Sequence, residues 1–563
     1  MPQLPLPPQS APPSGTVVAG RRWDPRRLDP GGRVVLAAVI FAAVGLALQW
    51  WRLQVLTASY DQGIFLQVLW NGLHGHPFES TLSSQLSTNV IHGGEPPALG
   101  YHRLGQHFTP ILLLWLPLVA LLGLWALPLV QIGVVTAAGL VLHRLAAGRL
   151  EPPLAAMLTL SFYGANAVLG PTWGNFTDLC QLPLLVFLLL LALERRWWPG
   201  IVVAALLIPM VREDTGVVLA GVGVWLGLRQ PRRWPLAAAL VAYGAGWVVL
   251  VTNVLMPLFS HDNARRFMVE NFGQYLGGKE SASSLQVLGY ALRQPLILLR
   301  ELVSPPGQTL RYLLAQGLPL VFVPYLSIDS WLLMGLPLLG LLLAQGNNNP
   351  LSINIRYTFL VVPGLFAGAV FWWQRHGRSF ASSRRLRAVW AGCILLSLLF
   401  TLIGNPNRSL SFLIPDSVDP WVHNSPQRQW RHGREARRAL ALIPAGASVA
   451  ASTPLVPRLA ARPVLVRFPE SIDYLDRERQ LRQVEWIAVD LDWMARYAPA
   501  FRKERHALKE SRERLKSLRR DYAVKAVRDG VVILQRNGSS DAAARAALDA
   551  LLAPSSAEGS PEP

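Results

Sequence analysis

Apolar residues in this chain come in long unbroken runs rather than in short alternations. The runs at 33–51, 126–145, 154–171, 179–194, 198–211, 214–229, 235–256, 309–325, 331–346, 356–374 and 388–404 each read as a membrane span. A crossing needs roughly 20 apolar residues, so the pattern predicts about eleven spans. The run 107–123 is short and carries Pro110 and Pro117, which predicts an interfacial or re-entrant helix that does not cross. Past residue 405 the pattern changes. Ala447–Ser452, Val464–Val466, Trp486–Val489, Tyr522–Val527 and Val531–Leu534 read as strands, with Asp529-Gly530 as a hairpin turn. Residues 499–520 are charged and helix-prone. The fold class that follows is mainly α: a polytopic transmembrane helical bundle with a small extracytoplasmic α/β C-terminal domain.

Charge refines that outline. The chain is 51% hydrophobic and 15% charged, where soluble domains carry about 25% charged residues. The net charge of +19 gathers in short clusters between apolar runs. These are His143-Arg144 with Arg149, Glu194-Arg195-Arg196, Arg229 through Arg233, and Arg375 through Arg387. Such clusters mark cytoplasmic loops and point away from nucleic acid. If 107–123 crossed, the first three clusters would land outside, so the non-crossing reading is preferred. The organisation expected is a disordered basic leader at 1–32, a transmembrane domain at 33–404 with a long outer loop at 52–125, an extracytoplasmic domain at 405–553, and a disordered tail at 554–563. The N-terminus is then cytoplasmic and the C-terminal domain lies outside. Cys180 and Cys393 sit in separate apolar runs, which signals neither a disulfide framework nor a metal site.

This threading collects polar residues on the outer face. Asp61 opens an apolar-faced stretch and is the first candidate catalytic residue, as a general base on a hydroxyl. Its competing reading is a helix N-cap. Glu213 and Asp214 lie between two apolar runs beside Arg212, where a carboxylate at membrane depth is costly and marks function. They are the next catalytic candidates, against the reading of a plain helix-end charge cluster. Candidate substrate-binding residues are His102, Arg103, His107, Asp178, Arg266, Arg356 and Tyr357. The arginines suit a phosphate, and His107 a hydrogen bond to it. Asp178 also suits an ordinary turn, and Arg356-Tyr357 an interfacial anchor. The histidines show no compact metal-ligand spacing, and there is no glycine-rich phosphate loop.

Tyr60-Asp61-Gln62-Gly63-Ile64-Phe65-Leu66-Gln67-Val68-Leu69-Trp70-Asn71 resembles the opening signature of the DUF2079 family of bacterial membrane proteins. Gly105 through Pro110, Arg212-Glu213-Asp214 and Pro444 through Ser452 fit the same family, and the likeness runs from about 35 to 535. That family is similar in plan to the GT-C glycosyltransferases. The resemblance implies a bacterial plasma membrane enzyme that takes a sugar from a polyprenyl-phosphate donor on the outer face, by inversion, with a carboxylate base. It puts Asp61 in that role and Glu213 or Asp214 at a second acidic site. The acceptor would be a glycan, a lipid or a protein. GT-C proteins often pair acidic residues in the first loop, and Asp61 has no acidic neighbour, so no cofactor is expected and a divalent metal is not signalled. The alternatives are a transporter or lipid flippase, which needs polar groups within the spans where Gln131, Asn166 and Asn253 are isolated, and a non-catalytic membrane scaffold.

Overall fold

The computed structural model describes residues 29–344 and 351–553. The leader up to residue 28, Asn347 through Pro350 and the tail from 554 lie outside the described residues.

The apolar runs form helices. The first, α1 (Pro30–Gln54), starts where the Asp29 carboxylate accepts the Gly32 N–H at 3.0 Å and Pro30 occupies the first helical position. After a short turn comes α2 (Tyr60–Leu73). A 3-10 turn (Pro110–Trp115) leads into α3 (Leu116–Leu122), and α4 (Ala126–Ala147) follows. Gly123 separates α3 from α4 with a φ of +52°, a conformation open to glycine. Helix α3 packs against α2. Helices α5 (Pro152–Gly164) and α6 (Asn166–Trp173) are one apolar run bent by 41°. Ser397 Oγ accepts the Asn166 N–H at the bend, at 3.0 Å, which satisfies an amide that lipid would leave bare. Then come α7 (Leu182–Arg195), α8 (Trp198–Met210), α9 (Gly216–Arg229), α10 (Trp234–Leu250), α11 (Ile328–Leu343), α12 (Thr358–Ser382) and α13 (Arg384–Ile403).

Among the described residues, four helical runs are long and apolar enough to cross a membrane: Pro30–Gln54, Pro110–Ala147, Pro231–Leu258 and Arg384–Ile403. The bent α5–α6 pair adds a fifth, while α8, α9 and α11 are apolar but shorter. The stretch 309–325 differs from the expected continuous span. It is helical over Pro306–Gly317, and then Val321 and Phe322 take φ values of +52° and +59° and turn the chain. Pro319 and Pro324 flank that turn and have no N–H to continue a helix.

The bundle has two polar ends. At one, residues of the basic clusters meet each other. Arg149 bonds to Glu194 and lies 5.1 Å over the Phe371 ring. Arg233 donates to the Leu193 carbonyl at 2.7 Å. Asp329 is buried and draws three donors: Trp225 Nε1 at 2.9 Å, Arg229 Nε at 2.6 Å and Arg375 Nη2 at 3.3 Å. At the other end, Arg356 stands just before α12 and pairs with Asp61. Arg356 and Arg375 bracket most of one helix, about 28 Å apart at 1.5 Å per residue. That matches the roughly 30 Å hydrocarbon thickness of a bilayer.

Besides two short two-stranded ribbons, the C-terminal region holds a five-stranded sheet of β1 (Val449–Ala451), β2 (Leu465–Arg467), β3 (Trp486–Asp490), β4 (Tyr522–Arg528) and β5 (Val531–Arg536). They coincide with the runs singled out in the sequence. The sheet order is β2-β1-β3-β5-β4, with β2, β1 and β3 parallel and β5 antiparallel to both neighbours. Strand β3 is buried throughout, which explains its nearly continuous apolar run. Helices α14 (Pro426–Leu440), α15 (Leu491–Tyr497) and α16 (Arg502–Ser517) accompany the sheet.

This region docks on the Asp61 end. Gln67 Nε2 donates to the Arg462 carbonyl at 3.2 Å, and Thr81 Oγ1 to the Leu465 carbonyl at 2.7 Å. Trp51 Nε1 donates to Gln429 Oε1 at 2.9 Å, and Arg437 caps the Gln54 carbonyl. Gly433 makes a close approach: a Cβ there would stand 2.5 Å from the Gln54 carbonyl oxygen. Gly433→Val is therefore expected to loosen the docking of α14, with faster protease cleavage between α13 and α14 while the spans remain inserted. Limited proteolysis of membrane vesicles checks it.

Candidate functional site

The site is assembled by five stretches that the bundle brings to one end, one of them being 354–357 just before α12. The first is the start of α2. Ser59 is the N-cap, so Asp61 stands in the first helical turn and not at the cap. Its carboxylate is 43% exposed and meets Arg356 Nη1 at 3.1 Å. Both line a cavity of about 160 Å³ with Asn175, Thr177, Asn354, Tyr357 and Asn407. The neighbouring Gln62 accepts the Phe176 N–H at 2.7 Å and so ties α2 to the second stretch.

That second stretch, 174–178, is held by Gln131 and Arg52. Gln131 donates to the Thr172 carbonyl at 2.9 Å and accepts the Thr177 N–H at 2.9 Å. Arg52, buried at the end of α1, donates to Trp173 O at 3.1 Å and Asn175 Oδ1 at 3.0 Å. Asp178 is buried, with Oδ1 accepting Thr177 Oγ1 at 3.0 Å and the Leu179 N–H at 2.9 Å.

The third stretch is the loop between α8 and α9. Its two carboxylates separate. Asp214 forms a two-pronged pair with Arg212, whose Nε donates at 2.8 Å. Glu213 turns the other way: Oε1 meets His107 Nδ1 at 2.9 Å and Oε2 accepts the Phe108 N–H at 2.9 Å. The fourth stretch supplies His107 and Arg103. Arg103 is buried, lies 4.8 Å over the Phe65 ring, and sits in the field of Asp178, Arg356, Asp61 and Glu213. Tyr357 bridges the arginines, with Arg212 at 5.1 Å and Arg356 at 5.4 Å from its ring.

Asp61, Arg103, His107, Asp178, Glu213, Asp214, Arg356 and Tyr357 therefore converge. Two of the expected residues do not. His102 stacks on Phe259 at 4.3 Å and lines a separate polar cavity with Asp262 and Arg265. Arg266 pairs with Glu270 at 3.4 Å and reaches the site only through Phe267, whose ring lies 4.9 Å from His107. Asn354 and Asn407 escaped the sequence reading. The signal for Asn407 is its place in Asn405-Pro406-Asn407, directly past the last apolar run.

Burial drives the Glu213–His107 pair toward neutral forms. It raises the Glu213 carboxyl to about 7 against the pull of Arg212. It pushes His107 well below its ordinary range, aided by Arg103 and Arg212. The signs for stability are opposite. Folded Glu213 holds its proton more tightly than the unfolded chain, so its contribution falls as pH rises from 4.5 to about 7. Folded His107 holds its proton less tightly, so its contribution rises with pH up to 6.5. Glu213→Gln removes the first and is expected to give a melting temperature that climbs with pH up to 6.5 more steeply than the parent's. Melting curves of both proteins across that range check it.

An apolar groove of about 500 Å³ lies on the bundle's flank, lined by α1, α5, α6 and α13 through residues such as Phe41, Leu160, Leu169 and Leu398. Helix α6 serves both this groove and the Asp61 cavity, with Leu169 and Trp173 in the groove and Pro171 in the cavity.

No curated protein and no solved structure matches the chain. The model of one family, described as a predicted membrane protein family, DUF2079, matches residues 52–533. That match takes in α2, the whole site and nearly all of the C-terminal sheet, and the chain belongs to the DUF2079 family of membrane proteins.

Proposed function

We propose that the chain is an integral-membrane glycosyltransferase of GT-C type. It moves a sugar from a polyprenyl-phosphate donor to an acceptor hydroxyl on a glycan, lipid or protein, at the extracytoplasmic face of a bacterial plasma membrane. The observation that carries this reading is the half-exposed Asp61 carboxylate, paired with Arg356 in a polar cavity that shares α6 with an apolar groove. In this reading a polyprenyl chain lies in the groove, and its phosphate is held by Arg356 of the cavity with Arg103 and Arg212 nearby. The arginine clusters at the far end of the bundle support a cytoplasmic placement for that end, with Asp61 and the C-terminal domain outside.

In the reaction, the acceptor O–H proton passes to an Asp61 carboxylate oxygen. The acceptor oxygen forms its bond to the anomeric carbon as the bond from that carbon to the donor phosphate breaks, with inversion. The electron pair leaves on the phosphate, where the arginines stabilise it. Arg356 holds Asp61 before substrate binds and is the cation closest at hand for the leaving group. Glu213, through His107 and the Phe108 amide, positions the loop that carries Arg103.

A transport reading would need free polar groups within the spans. Gln131 is instead committed on both its amide atoms to the 171–177 backbone. Reconstitution in vesicles with radiolabelled polyprenyl-phosphate sugars tests the proposal. Label should leave the polyprenyl lipid for an acceptor fraction. Movement of intact donor across the bilayer, with no transfer from any donor, would favour a flippase instead.

A further inference from the structure

The carboxyl edge of the parallel strands carries a side-chain cluster that the Asp61 site does not use. His432 on α14 is buried, and its Nε2 lies 2.8 Å from Asp490 Oδ2 at the end of β3. Asp490 is itself fully buried and fixed. Its Oδ1 accepts the Trp493 N–H at 2.9 Å, and its own N–H donates to Ser452 Oγ at 3.0 Å. A carboxylate held this way accepts a hydrogen bond from the Nε2–H and sets the ring, as carboxylates behind metal-bound histidines do. Nδ1 then faces two more carboxylates, at 3.0 Å from Asp529 Oδ2 and 3.5 Å from Asp492 Oδ2.

We propose that His432, Asp492 and Asp529 form a divalent-cation site of the Zn²⁺ or Mn²⁺ kind, with Asp490 as its positioning residue. The three ligand atoms lie within 4.8 Å of one another. Adjacent ligands on an ion with bonds near 2.1 Å stand about 3.0–3.4 Å apart, close to both Nδ1 separations. One imidazole with two carboxylates selects a first-row ion over Ca²⁺ or Mg²⁺, which take oxygen donors.

Asp529 and Gly530, with φ of +47° and +80°, are the two central residues of the β4–β5 hairpin turn. A Cβ on Gly530 would stand 2.4 Å from Asp492 Cβ, so only glycine lets the hairpin tip come this close. The location agrees with the rule that ligands bind at the carboxyl ends of parallel strands. The other charges facing the ring are Asp490 behind it and two arginines beside Asp492: Arg496 bonds the same Oδ2, which the ion must draw away from it, and Arg428 lies 3.4 Å from Oδ1.

The site binds together the β4–β5 hairpin, α15 and α14. Because Gly433 and Arg437 of α14 grip the end of α1, the ion staples the C-terminal sheet to the first span.

The test uses the full-length protein in detergent, stripped with EDTA and titrated with Mn²⁺ and, separately, Zn²⁺ by calorimetry. The expected result is uptake of one equivalent of ion. The Mn²⁺ form should show an imidazole nitrogen coupling in pulsed electron paramagnetic resonance. His432→Gln should abolish that coupling. Asp529→Asn, a surface change that leaves the fold intact by circular dichroism, should weaken binding by at least about tenfold. No stoichiometric uptake by the parent, or binding unchanged in both variants, overturns the proposal and leaves an ion-pair network around an imidazolium.

Discussion

Asp61→Asn is expected to stop the proposed sugar transfer and to leave a folded protein. Asparagine keeps the size and hydrogen-bonding reach of the side chain but cannot take the acceptor proton. Removing a general base lowers turnover by about 10²–10⁴-fold. Donor binding should survive, since Arg103, Arg212 and the groove are untouched. The cost in stability is small, because the carboxylate is 43% exposed and its pair with Arg356 is a single partly solvated contact, worth at most about 1 kcal/mol. The measurement is single-turnover transfer from a radiolabelled polyprenyl-phosphate sugar, with donor retention followed in parallel. Parent-like turnover in the variant removes Asp61 from the chemistry. Loss of retention together with turnover moves its role from proton transfer to binding.

Asp329→Ala has the largest effect on stability. Asp329 on α11 is 2% exposed and takes bonds from Trp225 and Arg229 of α9 and Arg375 of α12. Deleting the carboxylate leaves Arg229, only 30% exposed, facing Arg375 with no anion between them. Breaking a buried pair by removing one partner costs about 3–5 kcal/mol. The expected result is a much lower melting temperature in detergent and faster aggregation on warming. Asp329→Asn should fall between the two, since it keeps an acceptor for the Trp225 indole but loses the charge. Equal melting of Ala and parent would mean that α9, α11 and α12 are held by apolar packing alone.

The helices and the C-terminal strands were legible because each is written locally. A run of leucine and valine predicts a span, and Asp529-Gly530 between two β-branched runs predicts a hairpin. The turn at Val321–Phe322 was not legible, since left-handed bulky residues are tolerated only where the surrounding packing holds them. The site was legible in part. Asp61, Arg103, His107 and Arg356 could be named from their places at span ends. The sequence left Glu213 and Asp214 interchangeable, because adjacent residues share every local signal. Only the packing aims one at His107 and the other at Arg212. The His432 cluster was invisible for a simpler reason: its partners arrive from 58 to 97 residues away, with no fixed spacing to recognise.

Arg437 closing the last turn of α1 bears on biogenesis. The first segment to leave the translocon acquires its terminal partner only after the ribosome has made some four hundred further residues, and until then its final carbonyls face headgroups and water. Maturation must accordingly finish with a late fastening event, and a message cut short after α13 would yield a fully inserted but unlatched product, a ready substrate for membrane quality-control proteases.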